Sequence, residues 1–222
     1  MIELKNIYKT FNQNGTHEFT ALKDISLKIE ENELVIIKGV SGSGKSTLLA
    51  IIASLLKPTS GEITVESKKI AKLPDLHASD FRASVIGFIF QSFNLFEHLS
   101  VKENVSVPLV PLKLKQKSID EKVKKALLLA NISHKENSTV KNLSGGEKQR
   151  TAIARALVNN PKIILCDEPT ANLDQENSKA FLKVVTKLKE KGFTIVIATH
   201  DTVFDSYDQV DRIINMQNAK IV

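Results

Sequence analysis

One stretch restricts this chain more than any other. Gly39-Val40-Ser41-Gly42-Ser43-Gly44-Lys45-Ser46 fits G-x-x-x-x-G-K-[ST], and it stands between a strand pattern and a helix pattern. Leu34-Val35-Ile36-Ile37 is a β-branched apolar run of the kind buried on both faces of a parallel sheet, and Thr47 to Leu56 reads as a buried helix. A loop joining the two offers its N–H groups to a phosphate chain. Gly42 and Gly44 remove Cβ atoms that would hold a phosphate off, and the helix start adds its positive dipole end. Lys45 can reach the β- and γ-phosphates, and the Ser46 hydroxyl is placed for the Mg²⁺ that accompanies a nucleotide. The pattern predicts a nucleoside-triphosphate site running from Gly39 to Thr47.

With 222 residues the chain can bury one large core, with a lobe attached, but hardly two full domains. Its formal charge of +6 suits an anionic partner. The lysines, however, are scattered through solvated stretches such as Lys113 to Lys117, so no nucleic acid is expected. Cys166 is the single cysteine, which rules out an intrachain disulfide, fits a reducing compartment, and in its apolar run reads as core. The N-terminus has no signal-like apolar region and no run approaches the ~20 residues that span a bilayer, so membrane association is expected to go through a partner.

Alternation such as Ile25, Leu27 and Ile29 against Ser26, Lys28 and Glu30 predicts antiparallel strands from Ile2 to Glu30, turned at Asn12-Gln13-Asn14-Gly15. Glu62 to Val65 adds a strand, making a small sheet beside the core, and Val85 to Phe90 reads as a core strand ending at Gln91. From Ser100 to about Ile132 the pattern turns helical. Ser118-Ile119-Asp120-Glu121 fits a capping box, and Val123, Ala126, Leu127 and Ala130 share one face, which predicts a helical lobe inserted in the core.

Leu143-Ser144-Gly145-Gly146-Glu147 also has the S-x-x-E spacing of a capping box, ahead of a helix from Lys148 to Val158. Capping needs neither glycine, and each costs about 1 kcal/mol against alanine in a helix interior. Their use would be to clear a second helix start for a second phosphate contact, and two such sites far apart in one chain invite a dimer with nucleotide between the copies. Ile163-Ile164-Leu165-Cys166 is a buried strand that delivers Asp167 and Glu168 at its C-terminal end, where ligands of open α/β sheets sit. Adjacent carboxylates there call for a cation or a function: Asp167 would hold Mg²⁺ through water, and Glu168 would orient and polarise an attacking water. Phe193 to Thr199 is another buried strand, with His200 at its end.

On these motifs the chain resembles the ATP-binding subunits of ABC transporters, whose signature string is LSGGE, over nearly its whole length. The resemblance implies an α/β fold: a P-loop NTPase core with a mostly parallel sheet, a small antiparallel β-subdomain and a helical subdomain at about 92–143, within a single domain over 1–222. It implies ATP and Mg²⁺ as ligands and two subunits packed head to tail, so that Ser144, Gly145 and Gly146 meet the γ-phosphate held on the partner's Lys45 loop. Glu168 becomes the catalytic base, His200 the switch histidine on the γ-phosphate, and Gln91 the loop glutamine that senses Mg²⁺ and water. Ala171-Asn172-Leu173-Asp174 resembles the loop whose Asp174 reaches across the dimer, and Phe11, after Lys9-Thr10, takes the place of the aromatic that stacks on adenine.

Gln91 to Phe96 followed by Leu99 to Val105 is similar to the branch of lipoprotein-releasing, macrolide-export and cell-division ATPases (LolD, MacB and FtsE types). Phe93, Leu95 and Phe96 would form an apolar groove for the coupling helix of an integral-membrane permease, expected on a separate polypeptide at the cytoplasmic side of the membrane. A small-molecule kinase would share Gly39 to Ser46 but has no use for Ser144 to Gly146. A chromosome ATPase of the superfamily would need a long coiled coil, and no sustained heptads occur. A cell-division role that drives transmembrane signalling instead of transport shares every one of these motifs.

Overall fold

The computed structural model describes residues 1–12 and 17–222. Strands β1 (Ile2–Phe11) and β2 (Phe19–Ile29) pair antiparallel, while Gln13 to Gly15 of the expected turn lie outside the described residues. There follow β3 (Leu34–Lys38), α1 (Lys45–Ile52), β4 (Ser60–Val65), the short β5 (Lys68–Lys69), α2 (Asp75–Val85) and β6 (Ile86–Ile89). The chain then leaves the sheet as α3 (Val101–Ser106) and α4 (Gln116–Leu129), and returns through α5 (Gly145–Leu157), β7 (Ile163–Asp167), α6 (Gln175–Glu190), β8 (Thr194–Thr199), β9 (Arg212–Gln217) and β10 (Lys220–Ile221).

These strands make two sheets. An antiparallel one has the order β2-β1-β4-β5, and a larger one the order β10-β9-β3-β8-β7-β6, parallel except where β10 turns back on β9. The central strands are apolar on both faces because both faces are covered. Leu34, Ile36, Ile164, Cys166, Ile195 and Ile197 point toward the helical lobe and α6, while Val35, Ile37, Ile163, Leu165, Val196 and Ala198 pack on α1 and the small sheet. Each fully buried leucine or isoleucine of this set contributes about 1.5–3 kcal/mol relative to exposure.

Register decides where the chemistry sits. Lys38 pairs with Thr199, and Asp167 with Ala198, so the C-terminal ends of β3, β8 and β7 are level. The residues that follow, Gly39, His200 and Glu168, therefore emerge at one edge. Gln91 joins them, two residues past β6, where Ile89 pairs with Cys166.

Several local readings are corrected. Helix α1 ends at Ile52, before Leu56. Val85 closes α2 and does not open a strand; that helix, unforeseen from the sequence, buries Ala78, Phe81 and Val85 along one face. Helix α4 begins at Gln116 with Lys115 at its cap and no side-chain cap bond, so Ser118 and Glu121 are interior positions, not a capping box. With the helix starting three residues earlier, Ile119, and Leu114 just ahead of it, pack on the lobe core that holds Val123, Ala126, Leu127 and Ala130. A capping box does exist at Ser100 and Glu103, where Ser100 N donates to Glu103 Oε2 (2.7 Å) and Glu103 N to Ser100 Oγ (3.2 Å).

Candidate active site

Gly44 caps α1 with φ 102°, and a Cβ there would stand 2.5 Å from the carbonyl oxygen of Ala21 on β2. Only glycine satisfies both demands, so the small sheet presses the loop into shape from the side. No side chain caps α1. Its first N–H groups are thus left for a ligand, as an anion site requires. Lys45 is 5% exposed, and its Nζ donates to the carbonyl oxygens of Gly39 (2.8 Å) and Val40 (3.2 Å) and lies 3.4 Å from Glu168 Oε1. Its ammonium is thereby held over the loop, with the Gly39 carbonyl as anchor and the carboxylate as counter-charge.

Ser46 Oγ donates to Asp167 Oδ1 at 2.9 Å, bringing a hydroxyl and a carboxylate together at the strand edge. Among the described residues no three histidine, cysteine, aspartate or glutamate side chains converge as a metal cage. A single carboxylate beside one hydroxyl fits Mg²⁺, which keeps several waters and takes its remaining oxygens from phosphates. Burial pushes the Asp167 carboxyl above its ordinary value against the Ser46 hydrogen bond, and the charge of Glu168 pushes it further.

Glu168 is held from three directions. Thr199 Oγ1 donates to its Oε2 (3.0 Å), His200 N approaches the same oxygen (3.3 Å), and His200 Nδ1 lies 3.0 Å from Oε1. A carboxylate only accepts, so Nδ1 carries the proton and, in the neutral ring, Nε2 is left as an acceptor. Burial pushes the Glu168 carboxyl up, but His200, Thr199 and Lys45 outweigh it and hold it below the ordinary glutamate value. Its backbone adopts φ 45°, the left-handed region, at a cost on the order of 1 kcal/mol that places the carboxylate beside the neighbouring strand. Around this centre a cleft of about 230 Å³ is lined by Ser41, Gly42, Gly44, Lys45, Ser46, Thr47, Gln91, Glu168 and His200, with Phe19 and Ala21 from β2. Val40 and Gly39 contribute the carbonyls that hold Lys45, and Ser43 is buried beneath the loop with its N–H bonded to the Val40 carbonyl (3.2 Å).

The other expected residues lie outside this cleft. Ser144 caps α5 in a reciprocal box, its N–H donating to Glu147 Oε2 (2.9 Å) and its Oγ accepting from Glu147 N (3.4 Å), so the helix starts at Gly145 and not at Lys148. Asp174 caps α6 by accepting from Asn177 N (2.8 Å). Asn172 connects the two regions: its Nδ2 donates to the Gln91 carbonyl (3.0 Å), while its own carbonyl oxygen stands 3.5 Å from where a Cβ of Gly145 would be. Phe11 is exposed on β1 opposite Phe19 and does not line the cleft, whereas Phe19 does. Behind Gln91, Phe93 and Leu95 are half-buried and, of the three, Phe96 alone is exposed; Leu95 packs on the lobe core. Cys166 is buried and its thiol is pushed up by burial, as a core residue.

Sequence reasoning missed Thr199, the polar end of an otherwise apolar strand, although its place next to His200 was a signal. It also missed Gln149, buried in α5, whose Nε2 donates to the Pro169 carbonyl (2.9 Å) and ties that helix to the segment after Glu168. Arg155, also on α5, donates to the carbonyls of Phe93 (2.6 Å) and Asn94, two left-handed residues of the loop after Gln91.

Comparisons with known proteins agree with this geometry. A family model described as ABC transporter matches residues 22–171. The ABC transporter ATP-binding protein MJ1508 of Methanocaldococcus jannaschii is 43% identical over the whole chain and 98% of its own length. The macrolide export ATP-binding/permease protein MacB of Campylobacter jejuni is 41% identical over the whole chain, which spans 34% of MacB. Among solved structures, the ATP-binding cassette MJ0796, also of Methanocaldococcus jannaschii, matches with TM-score 0.90 at 39% identity, covering 100% of this chain and 96% of that one, in a dimeric post-hydrolysis state bound to ADP and Pi. The shared fold, the family match and the level phosphate and carboxylate edge lead to one assignment: this chain belongs to the ABC transporter family, as an ATP-hydrolysing nucleotide-binding domain.

Proposed function

We propose that two copies of this chain close head to tail on ATP, each nucleotide lying between the Lys45 loop of one copy and the Ser144-Gly145-Gly146 helix start of the other, and that the cycle drives a membrane permease. The observation that carries this is the division of labour: one edge gathers Lys45, Ser46, Asp167, Glu168, His200 and Gln91, while a second glycine-rich helix start does not line that cleft. The dimeric MJ0796 structure with ADP and Pi supports the assembly by likeness.

In this reading water attacks the γ-phosphorus, the P–O bond to the β-phosphate breaks, and ADP and inorganic phosphate leave. Glu168 accepts a hydrogen bond from the water and orients it. Lys45 and the α1 N–H groups take up charge on the phosphate oxygens, and His200, donating through Nδ1 to Glu168, steadies that carboxylate. Ser46, and Asp167 through water, would hold Mg²⁺ with Gln91 nearby, and the ion would supply charge neutralisation to the phosphates. Asp174 reaches the partner copy, and Phe11, with a cationic Lys9 Nζ 5.0 Å from its ring centre, offers a face to adenine.

No helix among the described residues is long and apolar enough to cross a membrane. In this reading the ATPase works a membrane permease from the cytoplasmic face. Phe96 and the half-buried Phe93 and Leu95 form the receiving edge, stiffened by Arg155 and by Asn104, whose Oδ1 accepts from Phe96 N (2.8 Å). By likeness to MacB, named for macrolide export, the load is a drug-like molecule moved outward; the resemblance of Gln91 to Val105 to lipoprotein-releasing ATPases extends the reading to a lipoprotein or peptide. The test is size-exclusion chromatography of Glu168→Gln with Mg²⁺ and ATP. A shift from monomer to dimer that ADP does not produce is expected, and elution as a monomer at saturating ATP overturns the sandwich.

A further inference from the structure

The two glycines of the α5 start are not equivalent. Gly145 is exposed, and a Cβ built on it would make only an ordinary contact, 3.5 Å from the Asn172 carbonyl oxygen. Gly146 is buried, and a Cβ there would fall 1.8 Å from Oδ1, 2.4 Å from Cγ and 3.1 Å from Nδ2 of Asn177. Clearing the way for a phosphate explains the first glycine. The second is occupied by this chain's own side chain.

Asn177 is also fixed from its other side. Its Nδ2 donates to both Asp174 oxygens at 3.0 Å, and its backbone N–H donates to Asp174 Oδ1 at 2.8 Å. A carboxylate cannot donate, so the amide nitrogen faces Asp174 and the amide oxygen faces Gly146. Rotating the side chain away from Gly146 would break both side-chain bonds. These hydrogen bonds also hold the Asp174 carboxyl below its ordinary value.

We propose that Asn177 is a positioning residue: its amide fills the space left by the absent Cβ of Gly146 and joins the Ser144–Gly146 helix start to Asp174, so that the two features offered to a partner copy move as one body. This rests on the sandwiched-nucleotide reading above and adds an element to it. A methyl at position 146 would push Asn177 off Asp174 or lift the helix start; either change misplaces the half-site used by the partner while leaving the chain's own Lys45 loop intact.

The experiment measures ATP-driven dimerisation by analytical ultracentrifugation in the Glu168→Gln background, together with binding of a fluorescent ATP analogue at low protein concentration. Asn177→Ala is expected to weaken dimerisation about tenfold, and Gly146→Ala by about a hundredfold. The double variant is expected to return to the level of Asn177→Ala alone, because truncation of Asn177 makes room for the methyl. Analogue binding by the monomer stays unchanged throughout. A double variant no better than Gly146→Ala overturns the proposal, as does an Asn177→Ala variant that dimerises like its parent, a result readable even if Gly146→Ala does not fold. A Glu168→Gln parent that fails to dimerise on ATP overturns the sandwich itself, and this inference with it.

Discussion

Two helices of this chain have glycine at their start, and they begin differently. Helix α1 has Gly44 as its cap with no side-chain cap bond and opens on Lys45, which is nearly fully buried. Helix α5 starts at Gly145 with Ser144 and Glu147 bonded reciprocally, and its serine is exposed. An uncapped start leaves its N–H groups to a ligand, so α1 is a grip that one chain can close alone. The capped start has already satisfied part of its own demand and, in the sandwich proposed above, holds its shape until a second copy brings phosphate. On that proposal the asymmetry lets one chain bind nucleotide yet need a partner to hydrolyse it.

The sharpest way to separate the grip from the chemistry is Glu168→Gln. The amide keeps the size of the side chain, but it loses the charge that faces Lys45 and His200. Turnover should fall about 10²–10⁴-fold while ATP binding persists, checked by phosphate release against equilibrium binding. Hydrolysis at the parent rate would place the base elsewhere.

Ser144→Ala tests the other helix start. Removing the cap should cost about 1 kcal/mol, read as an unfolding midpoint about 2–4 °C lower. The loss of one hydroxyl toward a charged phosphate should weaken ATP-driven dimerisation about 10- to 100-fold with monomer ATP affinity unchanged. If Ser144→Ala weakened ATP binding by the isolated monomer, the two starts would not be divided as described.

What was readable in the sequence follows the same divide. Asp167, Glu168 and His200 were legible because each ends or directly follows a contiguous apolar strand, and Lys45 and Ser46 because the glycine-rich loop after β3 carries them; parallel register then brings the strand ends level. The inserted lobe was legible from the Val123, Ala126, Leu127 and Ala130 stripe. Helix α2 was not read, since its apolar face is only Ala78, Phe81 and Val85 amid charged residues, and the Ser118 string misled because a local spacing cannot know which start buries Ile119. The filling of Gly146 by Asn177 had no signal at all: it joins two helix starts that the chain separates by β7, and only packing brings them together.

Asp167→Asn probes the metal side of the first helix start. The affinity for Mg²⁺ in turnover should drop about 10- to 100-fold, measured as the Mg²⁺ concentration for half-maximal rate. Without nucleotide the same variant should be the more stable protein, by about 2 °C in unfolding midpoint, because a buried carboxylate beside Glu168 is replaced by a neutral group. A parent more stable than the variant at neutral pH would mean that the Ser46 bond outweighs burial.

The smallest expected effect gives the finest separation, because Asp167 and Glu168 shift in opposite directions. Asp167 is raised above 3.8, so its folded form binds the proton more tightly than its unfolded form. Its favourable contribution is complete below pH 3.8 and is lost as pH rises through the folded value. Glu168 is lowered below 4.5, so its contribution is complete above pH 4.5 and is lost as pH falls through its folded value. The advantage of Asp167→Asn over the parent should therefore be absent at pH 3.8 and appear as pH rises, whereas the disadvantage of Glu168→Gln should be full above pH 4.5 and shrink below it. Thermal melts of the three proteins across this acid range, without nucleotide, read both differences at once. Parallel curves for the two variants would show that the neighbouring carboxylates share one environment; divergence is what the Ser46 side and the Thr199 and His200 side of this edge require.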